Sequence, residues 1–307
     1  MKQEVYDRFK NYKENHCWQY EIRQQNLSND LKESELTPEE YNNLRIEDFE
    51  FSYIDKTSKE ECNEIKHFIE RHEWLGKLPA RPTHRFVARF KKSGQVAGAI
   101  VMATPNAFSY ILGKENRDKE KLISRGACIS WAPKNLASWL ITKSIKYMVK
   151  HTEFRAFSAY SDPEAKELGT IYQACNFIYL GQSSGAARQY SDPLRPKAGW
   201  FSGRDFRKRS KYVVYAKNIG IEKEVWKKYF MNKYSPNWNG WAGLVKKELK
   251  AEEQKYRESC LVREMKPKHK YLYILGRTKK ETKALKKLFI QYNPKLKDLP
   301  YPNDRGK

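Results

Sequence analysis

The chain has 307 residues, of which 39% are hydrophobic, enough to bury the core of a large globular domain. The 60 Lys and Arg residues outnumber the 37 Asp and Glu residues, for a formal net charge of +23. In a chain with 14% aromatic residues, this excess favours a polyanionic partner, nucleic acid above all, over a small neutral substrate.

The cysteines and the N-terminus indicate the cellular compartment in which the protein is found. Five cysteines are odd in number, widely spaced and without a CxxC pair, which argues for a reducing compartment and against a zinc site or a disulfide framework. The N-terminus has no apolar stretch typical of a signal peptide, and no run reaches membrane-spanning length. We therefore predict a cytoplasmic protein, located in the host cytoplasm if the gene is a phage gene. We expect no membrane association and no bound metal ion.

The first third of the chain predicts an extension followed by a strand and a helix. Residues 1–48 are charged and rich in Asn and Gln, and a capping box at Thr37 starts a short helix. This part shows no recognisable chemistry. Phe49–Ile54 alternates as a strand, and a helix begins after Ser58 and stops at Gly76.

The next elements form a hairpin, a strand and a helix. His84–Phe90 alternates and turns into the nearly all-apolar Val96–Met102. A charged segment, Asn106–Lys121, predicts a loop or short helix that would cover an active site on the sheet. Leu122–Trp131 then predicts a strand, and Leu136–Val149 an amphipathic helix.

The most informative stretch is Phe154–Gly181. It begins as a strand, passes Asp162-Pro163, which is typical of a helix start, continues as one helix with Gly-Thr-Ile-Tyr in its middle, and ends in an aromatic strand. This order resembles the last core unit of GNAT-type acyltransferases. More narrowly, the runs Tyr-Ser-Asp-Pro, Gly-Thr-Ile-Tyr-Gln-Ala and Asn-Phe-Ile-Tyr-Leu-Gly resemble the bacteriophage Mom family.

Beyond this unit the chain becomes basic. Residues 183–210 predict a nucleic-acid-facing loop, with basic residues around Trp200. The candidate DNA contacts there are Trp200, Arg204, Arg207, Lys208 and Arg209. Further on, we predict a strand at 211–216, basic helices at 222–234 and 242–263, a late strand at 268–276 and a Lys-rich helix at 278–292.

Together these elements predict an α/β (α+β) fold, a GNAT-like mixed sheet flanked by helices with N-terminal and basic C-terminal extensions. The predicted domains are an N-terminal helical extension (1–48), a GNAT-like core (49–217) and a basic C-terminal region (218–307) whose late strand returns to the core.

The Mom resemblance is dense over 72–181 and thinner over 268–302. It implies DNA modification, since Mom-like proteins place a carbamoylmethyl group on N6 of adenine in DNA, which protects against restriction. It assigns to the reaction His72, Asp162 and Tyr172. At the acyl donor it implies Arg125 and Ser138, and Lys134 adds a charge. Gln173 and Asn176 are candidates for reading the adenine.

Each of these residues also has an ordinary structural interpretation. Asp162 is a helix cap, and Tyr172 shares a face with core residues, although in a GNAT core its hydroxyl would lie near the gap between the two diverging strands. His72 closes a helix, and Ser138 sits in a first helical turn, where the loop glycines usual for a GNAT donor are missing. A metal triad with His84 has no short ligand spacing behind it.

The product constrains the donor, because acetyl-CoA lacks the nitrogen of a carbamoylmethyl group. Two donors stay open: an acetyl-CoA-like thioester, and a glycyl carrier such as glycyl-tRNA, which would supply the nitrogen. The expected partner is double-stranded DNA. With the glycyl-tRNA donor, tRNA is a second partner. Two rival hypotheses remain: a GNAT acetyltransferase acting on RNA or protein, and a non-catalytic basic DNA-binding protein on a GNAT scaffold.

Overall fold

The structure, a computed structural model, describes residues 17–105, 110–183, 188–196, 199–221, 243–296 and 299–303. The chain divides into two compact units. The larger comprises residues 12–184 and 267–307, and the smaller comprises residues 1–11 and 185–266. The domain limits proposed from the sequence stay a prediction, because compactness within one chain does not show which segments fold independently.

The larger unit alternates helices and strands. Its helices are α1 (Trp18–Glu33), α2 (Pro38–Asn43), α3 (Lys59–His72), α4 (Leu136–His151), α5 (Thr170–Ala174) and, late in the chain, α8 (Lys279–Tyr292). Its strands are β1 (Phe49–Ile54), β2 (Pro82–Phe90), β3 (Val96–Ala103), β4 (Glu120–Cys128), β5 (Ala156–Ser161), β6 (Ile178–Gln182) and β10 (His269–Ile274).

These strands form one seven-stranded sheet in the order β1-β2-β3-β4-β5-β10-β6. Neighbouring strands are antiparallel except β4 and β5, which are parallel. The late strand β10 inserts between β5 and β6 and pairs antiparallel with both. The predicted mixed sheet flanked by helices is confirmed.

The centre of the sheet is apolar because both of its faces are covered. All eight residues of β3 are buried, as expected for a strand between helices α3 and α4. Phe86, Trp131 and Phe157 are among the largest fully buried side chains of this core. The predicted hairpin formed by β2 and β3 is confirmed.

The single helix predicted after Asp162 is wrong. A 3-10 turn at Pro163–Ala165 is followed by a loop and then by the short helix α5. Lys166 and Gly169 both adopt left-handed backbone angles, with φ of 56° and 68°, which end one helical segment before the next begins. Tyr172 is therefore carried on a helix of five residues.

The covering segment predicted at 106–121 is partly confirmed. Residues 106–109 lie outside the described residues, 114–119 form a 3-10 helix, and Glu120 and Lys121 already belong to β4. Among the described helices, none has both the length and the apolar character needed to cross a bilayer.

Among its described residues, the smaller unit contains a three-stranded sheet and two helices. The strands β7 (Arg188–Ser191), β8 (Phe201–Ser202) and β9 (Leu261–Glu264) lie in the order β8-β7-β9. The helices are α6 (Arg209–Asn218) and α7 (Gly243–Glu258).

Three predictions in the smaller unit need correction. The strand at 211–216 is wrong, because this segment is helical and buries Tyr212, Tyr215 and Ala216 at helical spacing. The helix at 242–263 ends at Glu258, and the loop at 183–210 includes β7 and β8. The helix predicted at 222–234 lies outside the described residues.

Candidate active site

A gap opens where β4 and β5 separate. The two strands pair in parallel from Glu120 and Ala156 to Ile123 and Ala159. Beyond Ile123, β4 continues to Cys128 without pairing to β5 in this fully described stretch. The gap therefore lies at the carboxyl ends of two parallel strands, where open α/β sheets bind their ligands.

A β-bulge marks the point of separation. Val101 of β3 pairs with Arg125, whereas the next residue, Met102, pairs with Ile123. Ser124 is thus an extra residue in β4, and a bulge of this kind bends its strand. The bulge directs the second half of β4 away from β5 and brings Arg125 to the start of the gap.

Asp162 stands at the end of β5. Its Oδ1 atom accepts a hydrogen bond of 3.1 Å from the backbone N–H of Glu164, which confirms the predicted capping interaction. Its Oδ2 atom lies 2.7 Å from Nζ of Lys268, the residue just before β10. The Asp162 side chain is 8% exposed, so the ammonium group compensates a charge that is largely removed from water.

Tyr172 lies beside the same loop. Its ring packs against Tyr271 and Phe177, with centroids 5.4 and 5.3 Å away. The core packing expected of this side chain is therefore present. Burial raises the pKa of the Tyr172 phenol, and the nearby carboxylates of Glu167 and Glu73 raise it further, so the hydroxyl is a proton donor at neutral pH.

Two further carboxylates, Glu73 and Glu167, lie near Asp162 and Arg125 and were not singled out from the sequence. Glu73, directly after α3, is 8% exposed; its Oε2 accepts a 3.1 Å hydrogen bond from the N–H of Gly76. Glu167 accepts hydrogen bonds from Trp74 Nε1 (3.0 Å) and from the N–H of Asp162 (3.2 Å). Because Trp74 follows Glu73 in the chain, the indole connects the two loops.

Both carboxyl groups have perturbed acidities. Burial raises the pKa of Glu73 to about 7, although the charge of Arg125 opposes the shift. Burial also raises the pKa of Glu167 to about 7, and the neighbouring charges of Glu73 and Asp162 add to the effect. Groups that titrate near neutrality can both accept and donate protons there, as acid–base catalysis requires.

Arg125 lines the gap from the β4 side. Its Nε atom donates to the carbonyl oxygen of Lys77 at 2.9 Å and lies 4.0 Å from Oε1 of Glu73. Its Nη1 atom donates to the carbonyl oxygen of Ser124. The guanidinium is thus fixed at the bulge, beside the carboxylates.

His72 belongs to a buried network with the N-terminal helix. Its Nδ1 atom lies 3.5 Å from Oδ2 of Asp30, and burial lowers its pKa to about 4, so the ring is neutral at pH 7. Asp30 also accepts hydrogen bonds from Ser130 Oγ (2.5 Å) and Arg71 Nη2 (2.6 Å). His72 thus faces a network that joins α1 to the β4–α4 loop, and its catalytic role stays a prediction.

The predicted donor site is the first turn of α4. Ser138 Oγ donates to the carbonyl oxygen of Asn135 at 3.0 Å, and Lys134 is exposed. The backbone N–H groups of Ala137 and Ser138 make no hydrogen bond within the described residues. Unpaired N–H groups at a helix start favour an anion. Their contact with a donor stays a prediction.

Elements of the gap and of the donor turn are neighbours. The thiol of Cys175, at the end of α5, lies 3.7 Å from the carbonyl oxygen of Ser138. Arg23 from α1 donates to the carbonyl oxygens of Ser130 and Ala132, both at 2.5 Å, and so fixes the loop before α4. The fold therefore brings Tyr172 and the start of α4 to the same end of the sheet.

Of the two residues predicted to read adenine, Gln173 is hydrogen-bonded within the protein and Asn176 is exposed. Gln173 Nε2 donates to the carbonyl oxygens of Leu168 (3.0 Å) and Pro302 (3.3 Å), which ties α5 to the C-terminal segment. Asn176 is exposed and has a left-handed φ of 59°. Reading of the base by either residue stays a prediction.

The predicted DNA contacts lie in the smaller unit. The guanidinium of Arg263 stacks over Trp200, 4.4 Å from its ring centroid. Arg204, Arg207 and Lys208 are exposed, and Lys208 forms an ion pair with Asp205. Arg209 is partly exposed at the start of α6. These side chains form a cationic, aromatic-containing patch of that unit.

The metal triad considered from the sequence is not assembled. In the part of the chain that the structure describes, no three His, Cys, Asp or Glu side chains are placed to hold a metal ion. His84 lies instead against the rings of Tyr53 and Phe154. Burial, followed by the charges of Lys121 and Arg85, lowers the pKa of His84 to about 4.

Comparison with known protein families identifies the part of the chain that carries this geometry. Residues 53–195 match the Mom protein family. The resemblance predicted from the motifs is thereby confirmed. The Mom segment includes Glu73, Arg125, Asp162, Glu167 and Tyr172, whereas Lys268 lies outside it. A search of curated protein sequences gave no match.

Several solved structures are similar to the chain. A ribosomal-protein-S5-alanine acetyltransferase from Vibrio fischeri is 13% identical, covering 51% of this chain and 90% of its own, with a TM-score of 0.35. A GNAT-family acetyltransferase from Listeria monocytogenes is 13% identical (45% and 90% covered, TM-score 0.32). A spermidine N-acetyltransferase from Vibrio cholerae is 13% identical (44% and 82% covered, TM-score 0.30). Likeness at this level says nothing about substrate.

Proposed function

We propose that this protein transfers an acyl-derived group, built from glycine and ending as a carbamoylmethyl group, to N6 of adenine in DNA, and so protects that DNA from restriction. The observation that carries the proposal is the gap between β4 and β5, with Asp162, Tyr172 and Arg125 around it. The match of residues 53–195 to the Mom family supports the choice of adenine as substrate.

The substrate atom must be brought out of the double helix. N6 of adenine is occupied in a base pair, so the base has to be extruded, at a cost of a few kcal/mol, or taken from opened DNA. Phosphate contacts offset this cost, and the net charge of +23 supports them. In this proposal Trp200, in the smaller unit, supplies an aromatic contact to the bound DNA.

The acyl donor is proposed to bind at the first turn of α4. The N–H groups of Ala137 and Ser138, which bond to no other described residue, suit a phosphate, and the exposed ammonium of Lys134 adds a positive charge. A CoA thioester and a glycyl-tRNA ester both carry phosphates. The product requires the acyl group on either carrier to be glycyl, because acetyl-CoA lacks the nitrogen.

The reaction can be written so that every atom is accounted for. N6 attacks the glycyl carbonyl carbon, the bond to the carrier oxygen or sulfur breaks, and N6 becomes an amide nitrogen. The free amine of the glycyl group then attacks C6 through a five-membered ring, and the C6–N6 bond breaks. The original N6 ends as the terminal amide, so the nitrogen of glycine is the one bonded to the ring.

The test is mass analysis of nucleosides from plasmid DNA co-expressed with the protein. We expect an adenine nucleoside heavier by a carbamoylmethyl group, and its absence would contradict the proposal. With ¹⁵N-glycine, fragmentation should place the label on the purine ring. A label in the terminal amide would exclude the rearrangement but leave the modification itself intact.

A non-catalytic DNA-binding protein remains the second candidate. Pro133 and Lys134 stand where donor loops of GNAT enzymes usually have glycine, which favours a scaffold that has lost its donor. Replacing Asp162 or Tyr172 separates the two functions. Loss of the modified base with unchanged DNA binding favours catalysis, whereas binding without any modified DNA, RNA or protein product favours the second candidate.

A further inference from the structure

The last helix of the larger unit carries lysines on one side, and the reaction above gives them no role. Helix α8 buries Leu285 and Phe289 in a cluster with Leu272 of β10, which holds it on the sheet. Its lysines are all exposed: Lys279, Lys280, Lys283, Lys286 and Lys287. The polar side of this helix is therefore almost entirely cationic.

A groove runs along that side of α8. It has a volume of about 620 Å³ and is lined by Arg277, Ile290 and four of the lysines, Lys279, Lys283, Lys286 and Lys287, which we call the lysine strip. All of its described lining residues lie between Leu275 and Ile290, so the groove follows one helix and is open to solvent. Such a shape suits an extended chain that lies along the surface better than an enclosed small molecule.

The carboxylates close to the lysine strip are occupied by arginines. The acidic residue of α8, Glu281, accepts a hydrogen bond of 2.7 Å from Nε of Arg155. Glu153 lies 2.7 Å from Nη2 of Arg277. The four lysines of the strip form no ion pair with any described residue. Their charges are thus available to a partner from outside the chain.

The positions of these lysines are unfavourable for the helix itself. Lys283 stands four residues from both Lys279 and Lys287, and like charges at this spacing destabilise a helix. Lys279 is also the first residue of α8, where the positive end of the helix dipole disfavours a cation. Helix α7, by contrast, interleaves acidic and basic residues, as expected of a helix that faces water. A bound polyanion would remove the repulsion in α8.

We propose that the lysine strip of α8 binds the phosphate backbone of double-stranded DNA, independently of its sequence, on the same unit that carries the gap between β4 and β5. The inference rests on the proposed function, since it says how the DNA substrate is held. An anionic membrane fits less well, because the apolar side of α8 is already buried on the sheet and cannot insert into lipid.

The dimensions of the strip agree with those of DNA. From Lys279 to Lys287 the helix rises about 12 Å, at about 1.5 Å per residue. Over this length one strand of a duplex presents about three to four phosphates, one for about every 3.4 Å of axis. The four ammonium groups therefore face about as many phosphates of a single strand.

One duplex is long enough to contact the strip and the gap together. Ile274, which precedes the groove, pairs with Ala156 at the start of β5, whereas Asp162 follows the other end of β5. The six residues of this strand span about 20 Å. A full turn of duplex covers about 34 to 36 Å. Contacts near the two ends of β5 thus fit within one turn of DNA.

The test measures binding of a duplex of about two helical turns, about 21 base pairs, to the full-length protein. Lys283→Gln combined with Lys287→Gln removes two charges of the strip and keeps similar helix propensity. We expect about a 10- to 60-fold loss of affinity at about 0.1 M salt, equal for duplexes of different sequence. The slope of log affinity against log salt should decrease by up to about 2.

A matched control removes the same net charge elsewhere in the larger unit. Lys66→Gln combined with Lys92→Gln replaces lysines that are paired with Glu70 and Glu40. Its affinity should stay within about threefold of the wild type, because these cations already have carboxylate partners. Thermal melting shows whether each variant is folded, and loss of the repulsion should leave the strip variant at least as stable as the wild type.

A second readout locates the contact without any substitution. Lysine side chains of the wild-type protein are acetylated by a water-soluble reagent with and without the duplex, and the rate at each lysine is read by mass spectrometry. The duplex should slow acetylation of the lysine strip and leave Lys92 unchanged. Equal rates at the strip with and without DNA would overturn the proposal.

The binding data separate this inference from the proposed function. A folded strip variant that binds the duplex as tightly as the wild type overturns the inference. So does a variant that keeps its affinity for the duplex and loses affinity for tRNA, because the strip would then hold a donor carrier. If the wild type forms no modified adenine, the proposed function fails, and duplex affinity still decides whether the strip contacts DNA.

Discussion

At the scale of single residues, the chemical character of Glu73 and Glu167 comes from their surroundings. An ordinary glutamate has a pKa of 4.5, but these two lie in a largely buried cluster with one guanidinium at 4.0 Å. Desolvation disfavours the charged form of both, and the charge of Glu73 further disfavours ionisation of Glu167. Their desolvation makes both carboxylates costly for stability when they are ionised.

This cost predicts how stability depends on pH. Between pH 4.5 and about 7 the folded protein holds protons on Glu73 and Glu167 that the unfolded chain has released, so their contribution to the free energy of unfolding decreases as pH rises. His72 acts oppositely, because its lowered pKa costs stability as pH falls from 6.5 to about 4. Glu167→Gln should therefore gain stability relative to wild type as pH rises, by about 1 to 3 kcal/mol.

Urea unfolding at pH 5, 6, 7 and 8 measures this difference. Glu70→Gln serves as the control, because Glu70 is exposed and its ion pairs with described residues are with Lys66 and His67 on its own helix. Its stability should follow that of the wild type at every pH. A Glu167→Gln difference that does not change with pH would contradict the raised acidity of this carboxyl group.

The hydroxyl of Tyr172 can be tested apart from its ring. The ring packs against Phe177 and Tyr271, and the hydroxyl forms no hydrogen bond within the described residues. Tyr172→Phe keeps the packing, so stability should change by less than about 0.5 kcal/mol. The single-turnover rate of DNA modification should decrease about 10²- to 10⁴-fold with DNA affinity unchanged. An unchanged rate would exclude the hydroxyl as the acid.

At the scale of elements, the loop between β5 and α5 shapes the site. Gly169 has a φ of 68°, and a Cβ atom there would lie 2.5 Å from the ring of Tyr271. The Tyr271 hydroxyl donates to the carbonyl oxygen of Leu168, which fixes the same turn. Glycine at this position is thus required both for the backbone angle and for the close approach of β10, and it places Tyr172 one turn later.

Gly169→Ala should separate these two requirements when compared with Gly94→Ala. Gly94 has a similar φ of 73° but open space around it, so its substitution costs only backbone strain, about 1 kcal/mol. Gly169→Ala adds the clash with Tyr271 and should cost about 2 to 4 kcal/mol. Urea unfolding measures both, and equal losses would mean that Tyr271 can move aside.

The N-terminal helix α1 is fixed by Asp30. Removing this carboxylate leaves Arg71 and Ser130 without a buried partner, so Asp30→Ala should lose about 3 to 5 kcal/mol of stability. Glu33→Ala removes the exposed partner of the same guanidinium and should cost less than about 1 kcal/mol. Similar losses in the two variants would mean that Asp30 does not anchor the helix.

At the scale of the whole molecule, the net charge of +23 favours a polyanionic partner but does not say where it binds. In the smaller unit, Arg204 and Arg207 are exposed and make no ion pair within the described residues, whereas Arg188 pairs with Glu264 at 3.0 Å. Unpaired cations gain more from phosphate than cations that must first give up a carboxylate.

Salt dependence of DNA binding tests this assignment. If Arg204 and Arg207 contact phosphates, the double Gln variant should reduce the slope of log affinity against log salt by up to about 2. Arg188→Gln, in the same unit, should change the slope by less. Fluorescence titrations between about 50 and about 300 mM salt measure both slopes. Equal slopes in wild type and double variant would remove these residues from the interface.

What the sequence by itself determined is local. The period-2 pattern of Phe49–Ile54, the hairpin of β2 and β3, the cap at Asp162 and the Mom motifs are all written in neighbouring residues, and each is found in the structure or in the family match. The helix predicted after Asp162 failed because the periodicity of its apolar residues does not report the left-handed angles at Lys166 and Gly169.

What only the tertiary structure decided is which distant residues meet. A single extra residue, Ser124, separates β4 from β5, and this depends on pairing with β3 rather than on any local pattern. Glu73 and Glu167 are unremarkable in sequence, and their acidity arises only when two loops bring them into a common buried cluster. Elements follow from short-range preferences of the chain, whereas the gap and its proton chemistry follow from burial and long-range contact.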